Sequence, residues 1–188
     1  MPKGWKKYER DKCEDFSDLF FGVKKPPGGQ LDRDCPLVRA DMSGANPSNF
    51  RPGDLVPNGL WLRDGRLTVE KFTFCIEVKY SQGIKFQELL APFKKGQLYK
   101  DWAQATRQAD ELDRGIPMLV VKQPHTSIDY IITDVFKFTM YGQPTKLPDR
   151  RLIIRGQFTH PLTVFTLKDF KAANLVPPFK ELIGEING

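Results

Sequence analysis

The order of apolar patterns along the chain predicts an α/β fold, a central mixed β-sheet flanked by helices. Three observations carry that prediction. "FTFCIEVKY" (residues 72–80) alternates with a period of two, as a strand does. "GQLYKDWAQATRQADELDRG" (96–115) places Leu98, Trp102, Ala105, Ala109 and Leu112 at steps of 4, 3, 4 and 3, one stripe of a helix with Gly115 as its stop. "IPMLVVKQ" (116–123) is a continuous apolar run of the kind buried in a parallel sheet. Strand, helix and strand in that order predict a right-handed crossover joining a parallel pair.

The remaining elements follow in order. "GWKKYERDKCEDFSDLFFG" (4–22) reads as an amphipathic helix closed by Gly22, with Tyr8, Phe16, Leu19 and Phe20 on its apolar side. Pro, Gly, Asn and Ser crowd residues 24–54, which are therefore expected to be mostly loop, and a loop of that length tends to be functional. "LWLRDG" (60–65) and "RLTVEKFTFCIEVKY" (66–80) read as a hairpin turning at Asp64 and Gly65. "IDYIITDVF", "RLIIRG" and "LTVFT" are shorter strands, and Thr166 is placed to cap a last helix, "LKDFKAAN".

Length and composition bound the function. The 188 residues suit one domain, 1–188, with a core over about 4–135 and a C-terminal elaboration over about 136–188. No apolar run approaches the roughly 20 residues of a membrane span, and the Lys-rich start lacks the apolar core of a secretory signal, so a cytoplasmic protein is expected. Cys13, Cys35 and Cys75 are odd in number and far apart, which argues against a disulfide framework or a zinc knuckle and for reduced thiols. The net charge of +6 favours a polyanionic partner. His125 and His160 have no partner at ligand spacing, and neither GxSxG nor a phosphate-loop GKS or GKT occurs.

Alternation places Phe72, Phe74, Ile76, Val78 and Tyr80 on one face of the 72–80 strand and Thr73, Cys75, Glu77 and Lys79 on the other. On an open face, Glu77 and Lys79 would be a surface ion pair of about 0–1 kcal/mol. Beneath a cleft they make a site. Upstream, Asp54 stands at a turn entering "LVP", and a hairpin between the two segments would bring Asp54 and Glu77 to one end of a sheet. Two carboxylates are what a hard divalent cation such as Mg2+ takes from protein. Gln97, Asp101, Gln104 and Gln108 form a polar row beside the apolar stripe of their helix. Arg39, Ser43 and Arg51 lie in the long loop and have the donors that suit backbone phosphates.

Asp54 followed by Glu77-Val78-Lys79 on an apolar strand resembles the signature of the PD-(D/E)XK nuclease superfamily, with Pro52-Gly53-Asp54 close to its first element. "YER" at 8–10, Ser43-Gly44 before the acid and the helix-strand segment after Lys79 are similar to Holliday-junction-resolvase-like nucleases of phages and prophages. The resemblance covers about residues 4–122. It implies a restriction-endonuclease-like core and a Mg2+-dependent DNA endonuclease, with Mn2+ able to substitute. Asp54, Glu77 and the Val78 carbonyl would hold the metal, Lys79 would serve the attacking water, and Glu9 would help hold a metal-bound water. Gln104, with Gln108 in reserve, would reach the site from its helix. Branched DNA as substrate and a homodimer are further expectations of the resemblance. A restriction- or repair-type nuclease on duplex or single-stranded DNA, and an inactive DNA-binding protein of the same fold, are the competing readings.

Overall fold

The computed structural model describes residues 5–40, 53–68, 71–80, 83–90, 96–122, 126–141, 145–156 and 158–184. In chain order the elements are α1 (Trp5–Phe21), α2 (Leu31–Asp34), β1 (Leu37–Arg39), β2 (Leu55–Pro57), α3 (Gly59–Arg63), β3 (Phe74–Tyr80), α4 (Gln87–Leu90) and α5 (Gln97–Asp110). They continue with β4 (Ile116–Lys122), β5 (Asp129–Asp134), α6 (Val135–Met140), β6 (Leu152–Ile154), β7 (Leu162–Thr166), α7 (Leu167–Ala173) and a 3-10 turn at Lys180–Leu182. The strands form one sheet in the order β1-β2-β3-β4-β5-β7-β6. β3 and β4 are parallel, paired from Phe74↔Ile116 to Tyr80↔Lys122, and every other neighbour is antiparallel. The expected mixed sheet of an α/β, restriction-endonuclease-like fold is therefore present, with the expected parallel pair at its centre.

The two faces of the sheet are filled differently. On one, Phe20 of α1 stacks on Phe74 at 5.2 Å and meets Phe72, Phe170 and Phe179 edge-on. This aromatic cluster dominates a core shared with Leu55, Ile76, Val78, Met118 and Phe165. On the other, the α5 stripe of Leu98, Trp102 and Ala105 packs against Leu119, Val121 and Ile132. The small side chains of Ala105 and Ala109, fully buried, let α5 approach β3 and β4 closely. Thr166 caps α7 as expected, accepting from the Asp169 N–H at 3.0 Å.

Four expectations are corrected. "LWLRDG" is helix α3 and not a strand, so β2 and β3 are joined through a helix rather than a hairpin. Asn58 caps it, accepting from the Leu60 N–H at 2.9 Å and donating to the Cys35 carbonyl at 2.7 Å, and only Trp61 of its three large apolar residues is buried. Segment 66–73 contributes a lone bridge, Leu67↔Ile183, and β3 begins at Phe74. Residues 24–40 are mostly loop as expected, with the short elements α2 and β1 set into them. The apolar run after Ile132 turns helical at Val135, because Asp134 Oδ1 accepts from the N–H groups of both Phe136 and Lys137. α5 stops at Asp110, and a turn carries the chain to Gly115, where a Cβ would lie 1.9 Å from the Ala109 carbonyl oxygen.

Cys13, Cys35 and Cys75 are buried free thiols. Among the described residues no helix is long and apolar enough to cross a membrane.

Candidate active site

β2 and β3 share one register pair, Leu55↔Ile76, and the site opens where that pairing ends. The Asp54 N–H donates to the Ile76 carbonyl oxygen at 2.8 Å, and the Asp54 carbonyl accepts from the Ala40 N–H at 2.9 Å. Just before it, Gly53 has φ +118, and a Cβ there would come within 3.1 Å of the Ile76 oxygen and 3.2 Å of its nitrogen. Only glycine lets the turn press this closely on β3. The backbone thus fixes Asp54 against the strand, and its Oδ2 accepts from the Val78 N–H at 2.9 Å. The N–H and C=O of a strand residue point to the same edge, so the Val78 carbonyl faces the Asp54 side of β3 as well.

Glu77 and Lys79 project from the opposite face to Ile76 and Val78, under α5. Lys79 Nζ donates to Glu77 Oε2 at 2.7 Å and to Asp54 Oδ2 at 3.4 Å, which joins all three side chains. Gln104 reaches in from α5, its Nε2 donating to Glu77 Oε2 at 3.2 Å. Glu77 is wholly buried, and its second oxygen, Oε1, has no hydrogen-bond partner. A buried carboxylate oxygen left unpaired is costly, which marks this point as built for something other than stability.

The electrostatics agree. Burial, and then the neighbouring Asp54 charge, push Glu77 up to about 7 against the attraction of Lys79. Burial opposes the charge of Lys79, but Asp54 and Glu77 outweigh it and hold its pKa above the ordinary lysine value. Lys79 is therefore an ammonium with donors to give and no lone pair to accept a proton. The donor set, two carboxylates and a strand carbonyl, is all oxygen and fits a hard divalent cation. Glu77 Oε1 is the atom that lacks a counter-charge. Among the described residues no third His, Cys, Asp or Glu joins the pair at metal-holding distance.

The other candidates fall in several places. Gln97 donates to Asp101 Oδ1 at 2.8 Å, and Asp101, buried, is held above the usual carboxylate range by burial. Gln108 lies one turn beyond Gln104, with Oε1 buried and without a partner. Glu9 is buried on α1 and pairs with Arg39 Nη1 at 3.4 Å. Arg39 is therefore a strand residue with a carboxylate neighbour, where a loop position was expected. Ser43 and Arg51 lie outside the described residues, as does His125. His160 pairs with Asp134 at 3.0 Å and stacks on Phe136, apart from the site. Sequence reasoning named Gly53 only as part of the Pro52-Gly53-Asp54 element and missed its close approach to β3, and it missed the burial of Asp101, whose signal was its position in the polar row.

A family model described as "Phage putative PDDEXK endonuclease" matches residues 45–176, well over half of the chain. The match contains Asp54, Glu77, Lys79 and Gln104 and extends past α5 to the C-terminal strands. No curated protein and no solved structure matches.

Proposed function

The chain belongs to the phage PDDEXK endonuclease family, and on that premise we propose that it is a Mg2+-dependent DNA endonuclease of the Holliday-junction-resolvase type. Its substrate is branched DNA, cut by a homodimer in the host cytoplasm. The observation that supports the chemistry best is the Asp54, Glu77 and Lys79 constellation with the buried, unpartnered Glu77 Oε1.

Asp54, Glu77 and the Val78 carbonyl would hold the cation, which supplies charge neutralisation at the scissile phosphate and eases deprotonation of the attacking water. Asp54 is aimed by the Val78 N–H and by the press of Gly53 on β3. Glu77 is aimed by Lys79 and Gln104, both on Oε2, which leaves Oε1 for the ion. Lys79 keeps its proton beside two carboxylates, so its part is to orient the water and to stabilise the charge that develops on the phosphate rather than to act as a base. The rigid β3 strand carries two of the three groups and fixes their separation.

Branched DNA and the dimer rest on the resemblance to resolvases, whose paired symmetrical cuts need two copies of a site. Incubation of the purified protein with Mg2+ and a four-way junction, a matched linear duplex or a single strand tests the substrate. Preferential cutting of the junction is expected. Equal cutting of all three would leave a restriction- or repair-type nuclease, and no metal-dependent cutting of any would leave a DNA-binding protein.

A further inference from the structure

A second feature stands on the α1 side of the sheet. Lys6, Arg10, Glu14, Lys25, Gly29, Gln30, Leu31 and Arg39 line a cavity of about 550 Å³, four cations to one carboxylate. Lys6, Arg10 and Glu14 follow one another at steps of four on a single face of α1. The one carboxylate is engaged, since Glu14 lies 3.4 Å from Lys25 Nζ, and Glu9 engages Arg39 from beneath. Lys6 and Arg10 are exposed and have no carboxylate partner among the described residues.

The rim of this cavity is fixed. Pro26-Pro27-Gly28-Gly29 makes a type II turn, with Gly28 at φ +75 and the Gly29 N–H donating to the Pro26 carbonyl at 2.9 Å. Lys25 leads into that turn and donates to the Gly29 carbonyl at 3.4 Å. A solvated charged face has neither the concavity nor the stiff rim. Arg39 links the cavity to the carboxylate pair: it is in register with Leu55, the residue after Asp54, and the next N–H, of Ala40, holds the Asp54 carbonyl. β1 is the edge strand of the sheet, so a nucleic-acid strand leaving the carboxylate pair over that edge meets the cavity next.

We propose that this cavity binds a phosphate of the DNA strand away from the cleaved bond, with Lys6 and Arg10 supplying the uncommitted charge and Lys25 and Arg39 the fixed walls. The proposal rests on the nuclease reading for the identity of the strand, but not for its test. Fluorescein-labelled single strands of one sequence, with a 5′-phosphate or a 5′-hydroxyl, are titrated with the full chain in EDTA, where cleavage plays no part. The Lys6→Ala/Arg10→Ala protein is compared with a control, Lys168→Ala/Lys180→Ala, that loses two exposed cations elsewhere. At least tenfold weaker binding is expected in the first and not in the control, with a salt dependence shallower by about one phosphate contact. Weakening confined to the 5′-phosphate strand assigns the cavity to a terminal phosphate, and equal weakening of both assigns it to an internal one. Unchanged affinity and salt slope would overturn the proposal. The nuclease reading fails separately, if Asp54→Ala and Glu77→Ala leave metal-dependent cleavage unchanged.

Discussion

Two ionic clusters of this protein, one half-buried and one deeply buried, use similar residue types to opposite ends. Between α1, α7 and the start of β5, Lys12 donates to Asp15 and to Asp129, Lys171 donates to the other Asp15 oxygen, and the Tyr8 hydroxyl donates to the other Asp129 oxygen. Two cations meet two anions and all four carboxylate oxygens are bonded. Burial alone would raise Asp15, yet Lys12 and Lys171 hold it below the usual carboxylate range. At β3, two carboxylates share one lysine, Glu77 Oε1 is unpaired, and Glu77 is raised to about 7. The first cluster is satisfied by the chain itself and fastens helices to the sheet. The second is one positive charge short, which is the condition of a site awaiting a cation.

The largest way to break the comparison is to remove the unsatisfied pair. Asp54→Asn or Glu77→Gln should lower cleavage by on the order of 10²–10³-fold or more, as loss of a group aimed at the reacting charge does, while circular dichroism stays that of the folded protein. Lys12→Met should do the reverse. It strips the shared donor from two half-buried carboxylates, each of which keeps one other donor, and should lose on the order of 1–2 kcal/mol in urea unfolding, with cleavage per folded molecule retained.

A third test uses pH. The folded Glu77 carboxyl titrates near 7 against 4.5 ordinarily, so between those values the folded chain holds a proton that the unfolded chain has released. Stability from this group is present below about 4.5 and is lost as pH rises through about 7. In EDTA, Glu77→Gln should therefore be more stable than the parent by on the order of 2 kcal/mol at pH 8, with the gain disappearing by pH 4.5. An inactive variant that is also more stable would separate the β3 cluster from the α1 cluster in one measurement. The smallest effect is expected of Gln104→Ala, which removes one of two donors on Glu77 Oε2 and should weaken Mg2+ affinity about 10-fold, read as a higher metal concentration for half-maximal cleavage.

The same contrast explains what could be read from the sequence. β3, α5 and β4 were legible because each carries its own periodicity, and Asp54, Glu77, Lys79 and Gln104 meet because those elements lie side by side. α3 was not, since Leu60, Trp61 and Leu62 look like a strand until the Asn58 cap and the Trp61 bond to the Arg33 carbonyl, 2.8 Å, are known. The Lys12 cluster was invisible for a related reason: its partners Asp15, Asp129 and Lys171 are up to 156 positions apart. Arg39 looked like a loop arginine because β1 is only three residues long and borrows its order from β2. Tertiary pairing decides such short elements, and local pattern does not.

The central claim is that Asp54 and Glu77 share a divalent cation. A crystal of the protein soaked in Mn2+ tests it through the anomalous difference map. A peak between the two carboxylates, in contact with Glu77 Oε1 and absent from a Glu77→Gln crystal, is the predicted result. A map with no peak there, or with manganese bound elsewhere while the crystal retains cleavage activity on dissolution, would contradict it.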